Sequence, residues 1–162
     1  MGDARLDRRA RPPTCRGPKK SDPETECLGR SRGGIGTKIH ACTEALGNAV
    51  RLLATSGQAG DGPQTQPLLE GLQPGKVLAD TAYDSDETRA YCARQGIEAV
   101  IPNRPNRLEP AAVDEEMYRD RNKIERFFGR LKQYRRLATR YEKTVVSFLA
   151  LWHIGAMLDW LR

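Results

Sequence analysis

The order of apolar and polar side chains predicts short strands in the first two thirds of the chain and helices after them. Lys38 to Thr43 alternates polar and apolar residues, the period of a half-buried strand. Ala49 to Thr55 is again strand-like, and Gly47-Asn48 between the two runs is a turn signal, so together they predict a β-hairpin. Val77 to Ala79 is a short apolar run ending in Asp80, and Glu98 to Pro102 is a second such run. Helices are predicted before and between them, over Gln64 to Leu72 and Asp86 to Gln95. Gly71, Pro74 and Gly75 end the first of these. Asp61 is expected to cap that helix, Asp86 to cap the next, and Asp84 to sit in the turn before it. This alternation of strand and helix is the pattern of α/β layering.

Tyr118 to Lys132 has no proline, one glycine and many good helix formers, and predicts one helix reaching Arg136. At roughly 100° per residue it has three faces rather than the usual two. Ile124, Phe127, Phe128, Leu131 and Tyr134 form a face to bury. Arg119, Lys123, Arg126 and Arg130 form a basic face. Tyr118, Arg121, Glu125 and Lys132 share a third arc, which sets one carboxylate between two cations. Taken alone, that arc also fits ordinary helix salt bridges from Glu125 to Arg121 and Lys132. The last predicted helix, Thr144 to Leu161, is apolar on most sides and carries Trp152 and Trp160. Ser147, His153 and Asp159 interrupt it, so it reads as a core helix rather than a membrane span.

Composition changes this picture in two ways. The 162 residues include 27 Lys and Arg against 21 Asp and Glu, a net charge of +6. A polyanion such as nucleic acid is the natural partner of that surplus. Much of the charge sits in residues 1–33, which are rich in Pro, Gly, Arg and Lys and poor in large apolar residues, so this stretch reads as a largely disordered basic arm. Residues 34–162 read as one domain. The four cysteines, Cys15, Cys27, Cys42 and Cys92, form no C-x-x-C pair, and no apolar leader opens the chain. A reducing cytoplasm is the expected compartment.

The spacing of Tyr118, Arg121, Glu125 and Lys132 resembles the Y-R-E-K signature of bacterial insertion-sequence transposases of the DDE type, in the IS-Five/IS-Four groups. Other stretches carry the same resemblance. Arg30 to His40 is similar to the R-S-R-G-G…K-I-H stretch of that family, and Gly57 to Asp61 to its G-Q-x-x-D element. Ala79 to Asp84 is similar to A-D-K-A-Y-D, with Thr81 where lysine is commoner. Val100 to Arg104 resembles its V-I-P-x-R/K loop, and the likeness runs from about Gly29 to Arg162.

The resemblance implies an RNase H-like mixed sheet with flanking helices. It implies three acidic metal ligands, of which Asp80 is the second and Glu125 the third. Asp3 stands where the first is expected, although Ala4 and Arg5 depart from the usual Asp-Ser-Thr. With only Met1 and Gly2 before Asp3, the first strand reads as truncated and the chain as a shortened, inactive copy. The implied cofactor is a pair of Mg2+ or Mn2+ ions, whose hard character suits carboxylate oxygens. The implied partner is double-stranded DNA at element ends and in the target, held by Tyr118, Arg121, Lys132, Arg119, Lys123, Arg126, Arg130, Arg32 and Lys38. A second copy of the chain is a candidate partner. His40 reads as a strand residue beside the site rather than a ligand. Two other readings stand beside the enzyme: a non-catalytic DNA-binding remnant, and a nuclease on the same scaffold.

Overall fold

The computed structural model describes residues 2–5, 27–31 and 34–162. Within them the chain is a mixed α/β fold of two small sheets and several helices. The first sheet is built on β3 (Gly34–Thr43). Its partner β4 (Ala49–Ser56) runs antiparallel, with Ile39 opposite Ala54 and Ala41 opposite Leu52. The predicted hairpin is therefore present. Its turn closes through Gly47 N to Glu44 O at 3.0 Å and Glu44 N to Asn48 O at 3.0 Å. Gly47 has φ +94°, a value that side chains with a Cβ rarely adopt.

Two short strands, β1 (Gly2–Arg5) and β2 (Gly29–Ser31), also pair with β3, both antiparallel. Asp3 lies opposite His40 in this register. The two ends of the expected arm thus join the sheet, while residues 6–26 lie outside the described ones.

The second sheet pairs β5 (Lys76–Leu78) with β6 (Glu98–Val100) in parallel, Val77 opposite Ala99. A parallel pair needs a crossover, and α2 (Asp86–Arg94) supplies it after the short helix α1 (Thr65–Leu69). Ser85, not Asp86, caps α2: its hydroxyl accepts from Thr88 N at 3.1 Å, leaving Asp86 and Glu87 to meet the positive end of the helix.

The long predicted helix is three helices instead. They are α3 (Glu115–Arg119), α4 (Asn122–Leu131) and α5 (Arg135–Ala138). Between α3 and α4 the amides of Asp120, Arg121, Lys123 and Ile124 bond three residues back, a tighter winding than the α-helix. Asp120 and Asn122, both poor helix formers, sit at this joint. The apolar face holds as expected for Ile124, Phe127, Phe128 and Leu131, which are all buried. Tyr134 is instead exposed, because the chain has left α4 before reaching it.

Helix α6 (Val145–Trp160) is capped by Thr144, whose hydroxyl accepts from Ser147 N. It buries Phe148, Trp152 and Ala156 against α4 and the first sheet, and leaves Val146, Ile154, Met157 and Leu158 exposed. Among the described residues no helix is long and apolar enough to cross a membrane.

Candidate active site

Asp80 lies two residues past the end of β5 and opens a 3₁₀ turn over Thr81–Tyr83. Its Oδ1 accepts from Ala82 N at 2.9 Å, which fixes the side chain against the turn. Tyr83 then plunges into the second core, fully buried, and its hydroxyl lies 3.3 Å from His40 Nδ1. His40 Nε2 meets Thr55 Oγ1 at 2.8 Å. His40 is thus a buried strand residue engaged with hydroxyl groups. It links the strand that faces Asp3 to the turn that carries Asp80. The side chain of Asp3 lies outside the described residues.

Asp61 takes a different part from the expected cap. Its backbone stands at the N-terminus of a 3₁₀ turn, but its side chain makes no capping bond. Oδ1 instead accepts from Lys38 Nζ at 2.7 Å and lies 3.6 Å from His40 Nδ1. Lys38 is 2 % exposed and also donates to Ala59 O at 3.1 Å. A phosphate would have to compete with an internal carboxylate for this ammonium, so Lys38 stands apart from the other expected DNA contacts.

Asp84 is the least expected member. It is almost fully buried and accepts from Arg89 Nε at 2.7 Å, Arg107 Nη1 at 3.0 Å and Arg104 N at 2.7 Å. Burial pushes its carboxyl up, but the Arg104 amide and the Arg89 and Arg107 guanidiniums outweigh it and hold the pKa below the ordinary value. The hub ties the Asp80 turn to α2 and to the loop after β6. Arg89 also donates to Ile101 O at 2.8 Å, and Arg107 to Asp86.

Glu125 lies on the solvent side of α4, 60 % exposed. Arg121 Nη2 donates to its Oε1 at 2.5 Å, and the Arg121 guanidinium lies 5.5 Å from the centre of the Tyr118 ring. Tyr118, Arg121 and Glu125 therefore form a continuous line despite the joint between α3 and α4. Lys132 is exposed, with its ammonium 5.8 Å from the Phe128 ring. Arg119 and Arg126 are exposed as well, and Lys123 pairs with Asp120 at 2.8 Å.

Arg130 leaves the expected basic face. Its Nε and Nη2 hold the buried Asp159 carboxylate at 2.7 and 2.6 Å, which locks α4 to α6. Arg32 lies outside the described residues. Among the described residues, no three His, Cys, Asp or Glu side chains gather closely enough to hold an ion.

Sequence reasoning missed the Asp84 hub and Arg140. Arg140 is buried, bonds Thr37 and the carbonyls of Glu142 and Lys143, and lies 5.5 Å from the Phe148 ring. Each owes its place in part to a partner far away in the chain, Arg107 for Asp84 and Thr37 for Arg140, which no local pattern announces.

Asp80, just beyond a parallel strand, and Glu125, on an exposed helix face beside Arg121, place the candidate site in a mixed α/β domain. Comparison with known proteins narrows the class. A family model described as the Transposase DDE domain matches residues 77–162. A Brucella ovis protein described as a transposase for insertion sequence element IS6501 is 42% identical over 128 residues, 78% of this chain and 98% of its own length. A Burkholderia cepacia protein described as a transposase for IS402 is 29% identical over 148 residues, 84% of this chain and 68% of its own. The transposase for IS1106 of Neisseria meningitidis serogroup B is 30% identical over 129 residues, 76% of this chain and 45% of its own. No solved structure matches. The chain belongs to the DDE transposase family of insertion sequences.

Proposed function

We propose that the chain is the RNase H-like catalytic domain of a DDE transposase, which nicks DNA at insertion-sequence ends and joins the freed 3′-hydroxyl to target DNA. In this reading residues 34–162 are the catalytic unit, and the basic residues of 1–33 add sequence-independent attraction to phosphate. The observation that carries it is the Tyr118–Arg121–Glu125 line, which ends at an exposed carboxylate on α4, the helix whose opposite face is buried in the first core.

Asp80 and Glu125, with Asp3, would hold the metal. Their hard oxygens suit Mg2+ or Mn2+. Two such ions would supply an activated water and a stabilised leaving oxygen. Asp80 is suited to ligation because the Ala82 amide fixes its side-chain direction. Arg121 orients Glu125 and screens the site for an approaching phosphate. Arg119, Arg126 and Lys132 would hold the DNA backbone, with Tyr118 packed against it and Lys123 as a further contact. A homodimer belongs to the same reading, and the mass in solution tests it.

One observation favours the non-catalytic remnant: Glu125 is already paired with Arg121. Nicking of DNA that carries terminal inverted repeats separates the two. The enzyme reading expects Mg2+-dependent nicking, lost in Glu125→Ala and Asp80→Ala with DNA binding retained. Binding without nicking in any form marks the remnant, and cutting without strand joining marks a nuclease.

A further inference from the structure

Helix α6 is apolar on every side, since no charged residue stands between Lys143 and Asp159. Such a helix belongs inside a core or against a partner. Among the described residues, only one of its sides is covered, the one that buries Phe148, Trp152 and Ala156. Six of the ten large apolar side chains exposed among those residues lie on this helix or its cap: Val146, Ile154, Met157, Leu158, Trp160 and Leu161, each more than half exposed. A patch so concentrated marks an interaction surface. The helix is also fixed against rolling, because Arg130 holds Asp159 at 2.6 Å and Trp160 Nε1 donates to Ala49 O at 2.8 Å. Along the exposed side, Ser147, Ala150, Ile154, Met157 and Leu161 follow at steps of three, four, three and four residues, the spacing of a coiled-coil seam.

We propose that a second copy of the chain docks on this face, through a two-fold axis that sets the two α6 helices antiparallel. The order of sizes along the seam selects that occupant. Its first half is small, Ser147 and Ala150, and its second half large, Ile154 and Met157. About an axis level with Trp152, a second copy turned end for end sets Met157 opposite Ser147 and Ile154 opposite Ala150, while Val146 meets Leu158 at the edge. A two-fold pair uses the same patch twice, so each small residue meets a large one at both ends. A parallel pair would set large on large and small on small, which packs one end badly. The face bears no charge to repel its twin, and none of the candidate DNA contacts lies on α6. Residues 6–26 are unsuited to cover it, since they hold one leucine and no valine, isoleucine or aromatic residue. The proposal gives the homodimer of the preceding reading its surface and register, and it stands whether or not the domain cuts DNA.

Sedimentation of the full chain at rising concentration tests the pairing. Two copies are expected, and Met157→Lys is expected to weaken their association by about tenfold or more, because it sets an unpaired ammonium in an apolar seam. Ser147→Glu should act in the same direction. Both positions are exposed, so the far-ultraviolet circular dichroism should stay that of the wild type. The register makes a sharper demand. In the double variant Ser147→Glu/Met157→Lys, an antiparallel pair sets each new carboxylate opposite a new ammonium of the other copy, so association should recover relative to both single variants. In a parallel pair like charges would meet, and the double variant would associate more weakly still. A single-copy mass at every concentration, association unmoved by Met157→Lys, or a double variant no tighter than the single ones would overturn the proposal. A single-copy mass with intact nicking overturns the pairing alone, whereas a two-copy mass without nicking supports the pairing and counts against the cutting reaction.

Discussion

Around Phe127 and Trp152 the chain is held by ring against ring, whereas around Tyr83 and Asp84 it is held by charge. In the first region Phe128 lies between Phe127 and Trp152 at centroid distances of 5.5 and 5.8 Å, and Phe148 meets Trp152 edge-on at 6.4 Å. In the second a smaller core of Leu68, Leu69, Val77, Ile97 and Ile101 ends at a carboxylate gripped by two arginines. The first region carries Glu125 and the second carries Asp80. The two acidic residues proposed to work together are therefore positioned by different forces. Apolar packing does not depend on protonation, and the Asp84 hub does.

The largest effect that breaks this contrast is expected in the aromatic region. Phe127→Ala removes a fully buried ring and should cost about 3–5 kcal/mol in urea denaturation, with loss of the ordered α4 that bears Glu125. Asp84→Ala should cost somewhat less, about 3 kcal/mol, since the arginines left behind are partly exposed.

The pH dependence sharpens the same comparison. The native carboxyl of Asp84 titrates below the ordinary 3.8, so its ionised form stabilises the fold at every pH above the unfolded value. That contribution is lost as pH falls below about 4 through the native value. Denaturation midpoints measured from pH 6 to pH 3 should fall in the wild type and fall less in Asp84→Ala. The smallest effect on stability belongs to Arg121→Gln. Its exposed pair with Glu125 contributes under about 0.5 kcal/mol, so the melting curve should barely move while DNA affinity and its salt dependence drop.

Much of the fold was legible because it is written in local pattern. The β3–β4 hairpin, the short strand β5, the crossover helix and α6 all follow from period, turn residues and caps. The division of residues 118–136 into three helices was not legible, since no glycine or proline marks the end at Leu131 and only Asp120 and Asn122 hint at the joint. Of the candidate site, the Tyr118–Arg121–Glu125 line could be read from spacing, because those side chains are near neighbours along the chain. The parts played by Lys38, Asp61, Asp84 and Arg130 could not. Each meets a partner at least 20 residues away, and the identity of that partner turns a surface cation or a cap into an internal ion pair.

Binding of Mn2+ to the full chain, followed by water-proton relaxation, tests most directly whether Asp80 and Glu125 serve one metal site. The account predicts that Asp80→Asn and Glu125→Gln each weaken binding by about tenfold or more, and that the double variant is little weaker than either single one. Equal affinity in the wild type and Glu125→Gln, with folding unchanged, would contradict it.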